Sequence, residues 1–117
     1  MNKYYLFGVI LIVVLLLFNR FRSAMSVDSN KLKDSIQQGA LVVDVRTPAE
    51  YQSGHFPGAM NIPVDEVGKR IGEFGTKEKT IIVYCASGGR SGSAKSYLES
   101  MGFKDVINAG GFSNMPK

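Results

Sequence analysis

The sequence predicts an α/β fold with a central parallel sheet that helices cover on both faces. Two apolar runs rich in β-branched residues, at 40–45 and 80–84, have the composition of strands buried on both faces. Segments with a helical spacing of apolar residues alternate with them, as at Ala94, Leu98 and Met101. Strands that alternate with helices at this spacing indicate a parallel α/β sheet.

The elements can be assigned in chain order from capping and turn residues. A first helix begins near Asp28 or Ser29, either of which can cap it, and runs to about Gln38 before a stop at Gly39. There follow strand 40–45, a short helix at 47–52, a loop at 54–59, a short extended piece ending at 62–63, a helix at 65–74, strand 80–84, a helix at about 90–101 and a last strand at 104–108. Gly110 and Gly111 then turn the chain into a short tail.

Composition excludes several classes of protein. The 117 residues allow one domain, and one Cys with one His gives neither a disulfide framework nor a zinc signature. The formal charge of +4 comes largely from Lys3, Arg20 and Arg22, because residues 23–117 carry 11 basic and 10 acidic side chains. A nucleic-acid binder would need a basic face, so we expect no nucleic-acid partner.

The first 22 residues are predicted to be a transmembrane signal-anchor helix. Residues 4–18 contain no charge, and although this run covers only about 22 Å as a helix, Lys3 can snorkel and residues 19–21 can extend it. The alternative is a signal peptide cleaved near 24–26, but the arginines after the run favour an anchor. Because more positive charge follows the run than precedes it, the positive-inside rule predicts a cytoplasmic domain, or a periplasmic or exported one if the segment is cleaved.

Cys85 is the candidate nucleophile. It ends strand 80–84, where ligands bind in open α/β sheets, and a Gly-rich loop that opens a helix follows it. Inward N–H groups of such a loop and the helix N-terminus favour a thiolate, and Arg90 adds a positive charge suited to a sulfonate or phosphate oxygen. The alternative is a buried core cysteine followed by ordinary turn glycines.

Three blocks of the sequence resemble the rhodanese (sulfurtransferase) family. Residues 44–63 match its pattern D-V-R-x-x-x-E-(Y/F)-x-x-G-H-(I/F)-x-G-A-x-N-(I/L)-P, residues 85–91 match its C-x-x-G-x-R-S loop, and Gly110-Gly111 match its double glycine. The resemblance covers roughly residues 25–117. It implies a rhodanese-like three-layer α/β/α domain with a central parallel sheet of about five strands.

The resemblance also implies the chemistry of the site. Cys85 would take a sulfane sulfur from thiosulfate or a persulfide as a Cys85 persulfide and pass it to cyanide or a thiol, with no metal and no cofactor. The loop residues would bind the substrate: Ala86, Ser87, Gly88, Gly89, Arg90 and Ser91. Ser91 would cap the following helix and steady the loop, so its role would be mainly structural. The expected partners are a small sulfur-containing anion or a protein thiol, together with the membrane, and we expect a monomer.

Asp44, Arg46 and Glu50 are expected to support the loop rather than to exchange protons, with Arg46 paired to Glu50 as the family resemblance implies. His55 belongs to a turn and is interpreted as structural. One departure is Met115, at a position where many family members have Trp; it affects packing of the tail rather than chemistry.

Other functions remain open at this point. A persulfide carrier would differ only in its acceptor, and a non-catalytic binding module would not need the cysteine. A Cys-dependent phosphatase is disfavoured, because only four residues separate Cys85 from Arg90 and Tyr84 stands where the phosphatase signature has His.

Overall fold

The computed structural model of the protein describes residues 2–25 and 28–117. Its helices and strands are α1 (Lys3–Met25), α2 (Ser29–Gln37), β1 (Leu41–Asp44), α3 (Pro48–Gln52), β2 (Met60–Asn61), β3 (Ile81–Cys85), α4 (Gly89–Ser100) and β4 (Val106–Gly111). The predicted alternation of strands and helices is therefore confirmed.

The strands form one parallel sheet in the order β2-β1-β3-β4. The sheet has four strands across the described parts of the chain, where about five were expected. That number rested on the family resemblance and not on a fifth apolar run in the sequence. β2 is only two residues long, and it pairs with Val43 and Asp44 of β1.

Two apolar cores flank the sheet, since successive strand side chains point to opposite faces. On one face, Val43, Val83 and Cys85 pack with Ala94 and Leu98 of α4. On the other face, the core is formed by Leu32 of α2 with Val42, Ile82, Tyr84, Ile107, Ala109 and Met115. Helices thus cover both faces, as predicted, and Met115 fills the core at the position where many family members have Trp.

The helix predicted at 65–74 is wrong. Two short 3-10 segments occupy this region instead, Val64–Glu66 and Ile71–Phe74. Gly68 and Gly72 interrupt the stretch, and glycine disfavours a continuous helix. The apolar spacing still has a consequence, because Val67 and Phe74 are buried.

The last strand runs further than predicted and includes the double glycine. Gly110 pairs with Tyr84 and Gly111 with Cys85, after an irregularity in the register next to Val83. The end of β4 therefore lies beside the end of β3, and the turn begins only at the 3-10 segment Phe112–Asn114.

The apolar run at 4–18 lies within helix α1, and its large apolar side chains are exposed. Within residues 2–25 and 28–117, no helix is long and apolar enough to cross a membrane. The structure does not support the predicted transmembrane helix, and the uninterrupted apolar run is indeed shorter than the roughly 20 residues of a typical span. The alternative cleavage site at 24–26 ends at Ser26, outside the described residues.

Candidate active site

The Cys85 thiol occupies the N-terminus of α4. Its Sγ accepts hydrogen bonds from the N–H of Gly88 at 3.0 Å and from the N–H of Ser91 at 3.4 Å. Gly88 is the N-cap residue of α4 and has no side chain that could cap the helix. The sulfur of Cys85 therefore takes the place of a capping oxygen for N–H groups that have no partner within the helix.

This environment favours the thiolate. Burial raises the pKa of the Cys85 thiol, but hydrogen bonds from Ser91, through its hydroxyl and its N–H, and from the N–H groups of Ser87 and Gly88 outweigh burial. The pKa is lowered from an ordinary 9.0 to about 7. A residue that is only 1% exposed thus has a large thiolate fraction at neutral pH.

The shape of the loop depends on glycines at close backbone contacts. Gly88 has a φ of +101°, and a Cβ there would lie 3.3 Å from the Cα of Gly110. At Gly111 a Cβ would lie only 2.6 Å from the carbonyl oxygen of Ala86. The double glycine of β4 therefore allows the loop to lie directly against the backbone of the neighbouring strand.

Ser91 contacts the sulfur and is not the cap of α4, which corrects the capping role predicted for it, although its other contacts do hold the loop. Its Oγ lies 3.3 Å from Cys85 Sγ, 2.7 Å from Asn108 Oδ1 and 3.2 Å from the carbonyl oxygen of Gly88. Asn108 in turn accepts from the N–H of Gly110 at 2.9 Å and donates to Gly88 O at 3.3 Å. Sequence reasoning missed Asn108; a polar residue inside an apolar strand was the signal that could have identified it.

The partner of Glu50 is Arg90. The family resemblance implied that Arg46 would pair with Glu50, and that expectation is wrong. The Arg90 guanidinium donates from Nη1 to Oε1 at 2.7 Å and from Nη2 to Oε2 at 3.0 Å. This contact lowers the pKa of Glu50 to about 2, with further contributions from Thr47. Hydrogen bonding to Glu50 is also the main cause of the raised pKa of Arg90, to which Cys85 contributes less.

Arg46 forms a buried pair with Asp44 instead. Its Nη2 lies 2.7 Å from Asp44 Oδ2 and also donates to the carbonyl oxygen of Gly54 at 2.7 Å. The Tyr84 hydroxyl donates to the same carboxylate at 2.8 Å. The Arg46 guanidinium lies over the rings of Tyr84 and Phe112, at 5.6 and 4.8 Å from their centroids. Asp44 and Arg46 thus support the ends of β1 and β3, while Glu50 contacts the loop directly.

His55 lies in the turn after α3. Its Nδ1 is 2.8 Å from the carbonyl oxygen of Tyr51, and its ring stacks on the Tyr51 ring at 3.6 Å. Both contacts hold the His55 ring against Tyr51 of α3, which agrees with the structural role predicted for it. Among the described residues, no group of three or more His, Cys, Asp or Glu is placed to hold a metal ion.

Comparison with known proteins shows the family to which the chain belongs. Residues 28–115 match the family described as Rhodanese-like domain. The chain is 47% identical over 78 residues to the thiosulfate sulfurtransferase PspE of Escherichia coli, covering 64% of this chain and 75% of PspE. It is 37% identical over 84 residues to the putative sulfur carrier protein YrkF of Bacillus subtilis, covering 72% of this chain and 45% of YrkF.

A solved structure described as a rhodanese with anions from E. coli superposes with a TM-score of 0.63 at 44% identity, covering 67% of this chain and 95% of that one. The family match covers residues 28–115, which is most of the chain. This chain belongs to the rhodanese family.

Proposed function

We propose that this protein is a sulfurtransferase that carries sulfur on Cys85. The observation that supports the proposal most strongly is the capping position of the Cys85 sulfur, which accepts from the N–H groups of Gly88 and Ser91 and has a pKa of about 7. A thiolate is the reactive form of cysteine in nucleophilic displacement. N–H groups directed at the sulfur also favour the negative charge of a persulfide anion.

The reaction has two displacements. The Cys85 thiolate attacks the outer sulfur of thiosulfate, a new S–S bond forms, the S–S bond of thiosulfate breaks, and sulfite leaves with the electron pair. The product is a Cys85 persulfide anion. Cyanide or a thiolate then attacks the terminal sulfur of the persulfide and forms thiocyanate or a new persulfide, while the Cys85 thiolate is regenerated. No net proton transfer is needed, so the site requires no general base.

Intact-mass measurement tests this proposal. Incubation of the full chain with thiosulfate is expected to add about one sulfur atom (~32 Da), and cyanide is expected to remove it, as a covalent intermediate requires. Because Cys85 is the only cysteine, Cys85→Ser serves as the control. Absence of the adduct in the wild type, or its persistence in Cys85→Ser, contradicts the proposal.

The second candidate function is that of a persulfide carrier that delivers sulfur to another protein. It is favoured by the similarity to YrkF, which is named a putative sulfur carrier protein. Both functions use the same Cys85 persulfide, so the acceptor distinguishes them. Rapid turnover with cyanide or a small thiol supports the enzyme, whereas a stable persulfide that only a protein thiol discharges supports the carrier.

We also propose that α1 attaches the protein to a membrane. Its large apolar side chains from Tyr4 to Phe18 are at least 42% exposed, and a contiguous apolar surface of this kind is unfavourable in water. Cell fractionation with protease protection tests the location and the side of the membrane. We expect the full chain in the membrane fraction and a chain lacking residues 2–25 outside it; recovery of the full chain outside that fraction contradicts the proposal.

A further inference from the structure

The Arg90–Glu50 pair changes the charge that a molecule meets as it approaches the Cys85 thiol. We call the surface formed by these two side chains the entrance to Cys85. Arg90 lies in the first turn of α4, one residue from Ser91, which contacts the sulfur. Its guanidinium is engaged at both terminal nitrogens by the two oxygens of Glu50. A bidentate pair of this geometry directs the side chain toward α3 and compensates its charge.

Glu50 is itself held in place by the N-terminus of α3. Its Oε1 accepts from the N–H and the hydroxyl of Thr47, both at 3.1 Å, and Thr47 Oγ1 accepts from the Glu50 N–H at 3.2 Å. This reciprocal arrangement is a capping box. The carboxylate therefore has partners within α3 that do not depend on Arg90.

From these contacts we propose that Glu50 determines donor specificity at Cys85. By neutralising Arg90, it lowers the affinity of the site for small dianions such as thiosulfate relative to donors of lower charge, such as the persulfide of a thiol. This inference rests on the proposed sulfurtransferase function and adds the class of donor. Backbone N–H groups and the α4 N-terminus then supply the attraction for the donor, and they act on a persulfide as well as on thiosulfate.

The critical variant is Glu50→Gln. Glutamine also serves at this position of a capping box, so α3 keeps its cap while the negative charge is removed. The matched control is Glu73→Gln, because Glu73 forms the same kind of bidentate pair with Arg70, at 2.6 and 2.9 Å, outside the loop. Both glutamates lie on the surface, with exposed fractions of 35% and 45%.

The probes are iodoacetate, which is anionic, and iodoacetamide, which is neutral. Cys85 is the only thiol that they can alkylate, since the chain has no other cysteine. The ratio of their rate constants is independent of the thiolate fraction and therefore reports the potential at the entrance. In the full chain at low ionic strength, we expect Glu50→Gln to raise the iodoacetate/iodoacetamide ratio by about three- to tenfold, as expected for one unit charge near a protein surface.

Three further results belong to the same test. Arg90→Ala is expected to lower the ratio, the double variant Glu50→Gln/Arg90→Ala to return it close to the wild-type value, and Glu73→Gln to leave it unchanged. In turnover, Glu50→Gln is expected to lower the KM for thiosulfate by a similar factor with little change in kcat. High salt reduces these differences, because it screens the charge.

An unchanged ratio in Glu50→Gln, or an equal rise in Glu73→Gln, overturns the inference. A double variant that stays as low as Arg90→Ala also overturns it, since Arg90 would then bind the anion directly. These outcomes are separate from failure of the proposed function, because alkylation requires no sulfur donor. If Cys85 accepts no sulfur although the ratio changes, the proposed sulfurtransferase activity is the part that fails.

Discussion

Two arginine–carboxylate pairs lie at the carboxyl edge of the sheet, and they differ mainly in burial. The side chains of Arg46 and Asp44 are 8% and 0% exposed, whereas those of Arg90 and Glu50 are 36% and 35% exposed. Both pairs have a shortest N–O distance of 2.7 Å. Distance alone therefore does not reveal the role of a pair; access to water and the neighbouring groups do.

The buried pair belongs to the frame of the site. Asp44 also accepts from Tyr84, and Arg46 also donates to Gly54, so the pair connects β1, β3 and the turn after α3. The exposed pair lies beside the thiol and adjusts the charge that an incoming molecule meets. The comparison leads to a simple expectation: changes to the buried pair lower stability, and changes to the exposed pair alter reactivity.

The largest expected effect is that of Asp44→Ala. Removing the carboxylate leaves the Arg46 guanidinium buried without a counter-charge, which typically costs about 3–5 kcal/mol. We expect the free energy of unfolding, measured by denaturant titration, to fall by that amount. Glu50→Gln in the exposed pair is expected to leave it almost unchanged.

A double variant provides the control for this prediction. Replacing both partners, Asp44→Ala with Arg46→Met, removes the uncompensated charge and is expected to restore part of the lost stability. If Asp44→Ala is no more destabilising than Glu50→Gln, the buried pair does not have the stabilising role that we assign to it.

The second prediction concerns Arg90→Ala, which breaks the exposed pair from the other side. Glu50 then carries an uncompensated negative charge near the thiol, and kcat/KM for thiosulfate is expected to fall by about three- to tenfold, the effect of one unit charge near a protein surface. Arg90→Lys is expected to recover only part of the activity, because an ammonium group cannot reproduce the two-point contact. The melting temperature is expected to change by less than about 4 °C, as is usual for an exposed pair.

A collapsed loop would also lower turnover in Arg90→Ala, so the rate of Cys85 alkylation by iodoacetamide is the control. An unchanged kcat/KM shows that the charge of Arg90 does not affect the donor. A loss of alkylation together with turnover shows instead that Arg90 holds the loop in shape.

The third prediction concerns two glycines near Cys85 whose surroundings differ. At Gly111 a Cβ would lie 2.6 Å from the Ala86 carbonyl oxygen, whereas at Gly89 nothing lies within 4 Å of it. We expect Gly111→Ala to cost about 1–3 kcal/mol of stability, as overpacking usually does, and to slow Cys85 alkylation by displacing the loop. Gly89→Ala is the matched control, and equal effects of the two variants contradict this account of the double glycine.

The two pairs also show how far the sequence could predict the site. β3, the loop and α4 are contiguous in the chain, so an apolar run followed by glycines and a helical pattern was enough to locate Cys85. The choice of partners was not local: Arg90 and Glu50 are 40 residues apart. Which of two arginines reaches Glu50 depends on how α3 and α4 lie on the sheet, and spacing along the chain contains no information on that.

The same limit explains the role of Ser91 and the omission of Asn108. A serine early in a helix is typical of a cap, but here Gly88 is the N-cap residue and Cys85 provides the acceptor. Asn108 becomes recognisable only when β4 is placed next to β3, because its contacts with Ser91 and Gly88 cross between elements.

The smallest expected effect is that of Ser91→Ala on the pKa of Cys85. The Ser91 hydroxyl has one proton and three acceptors within reach, and Asn108 Oδ1 at 2.7 Å is closer than the sulfur at 3.3 Å. Its support for the thiolate is therefore partial, and the N–H groups of Gly88 and Ser91 remain in the variant. We expect the pKa to rise from about 7 but to stay below the ordinary 9.0.

The pH dependence of iodoacetamide alkylation measures this shift, and Glu50 does not titrate between pH 5 and 9, since its pKa is about 2. Because the folded-state pKa of Cys85 is depressed, its contribution to stability is present above pH 9 and is lost as the pH falls toward 7. Ser91→Ala is expected to raise the folded-state pKa and so to narrow the pH range over which this stability is lost. Ser93→Ala is the control, as Ser93 is exposed in the same helix and contacts only the Gly89 carbonyl among the hydrogen bonds described. An unchanged midpoint in Ser91→Ala would show that the hydroxyl donates to Asn108 throughout and that backbone N–H groups alone hold the thiolate.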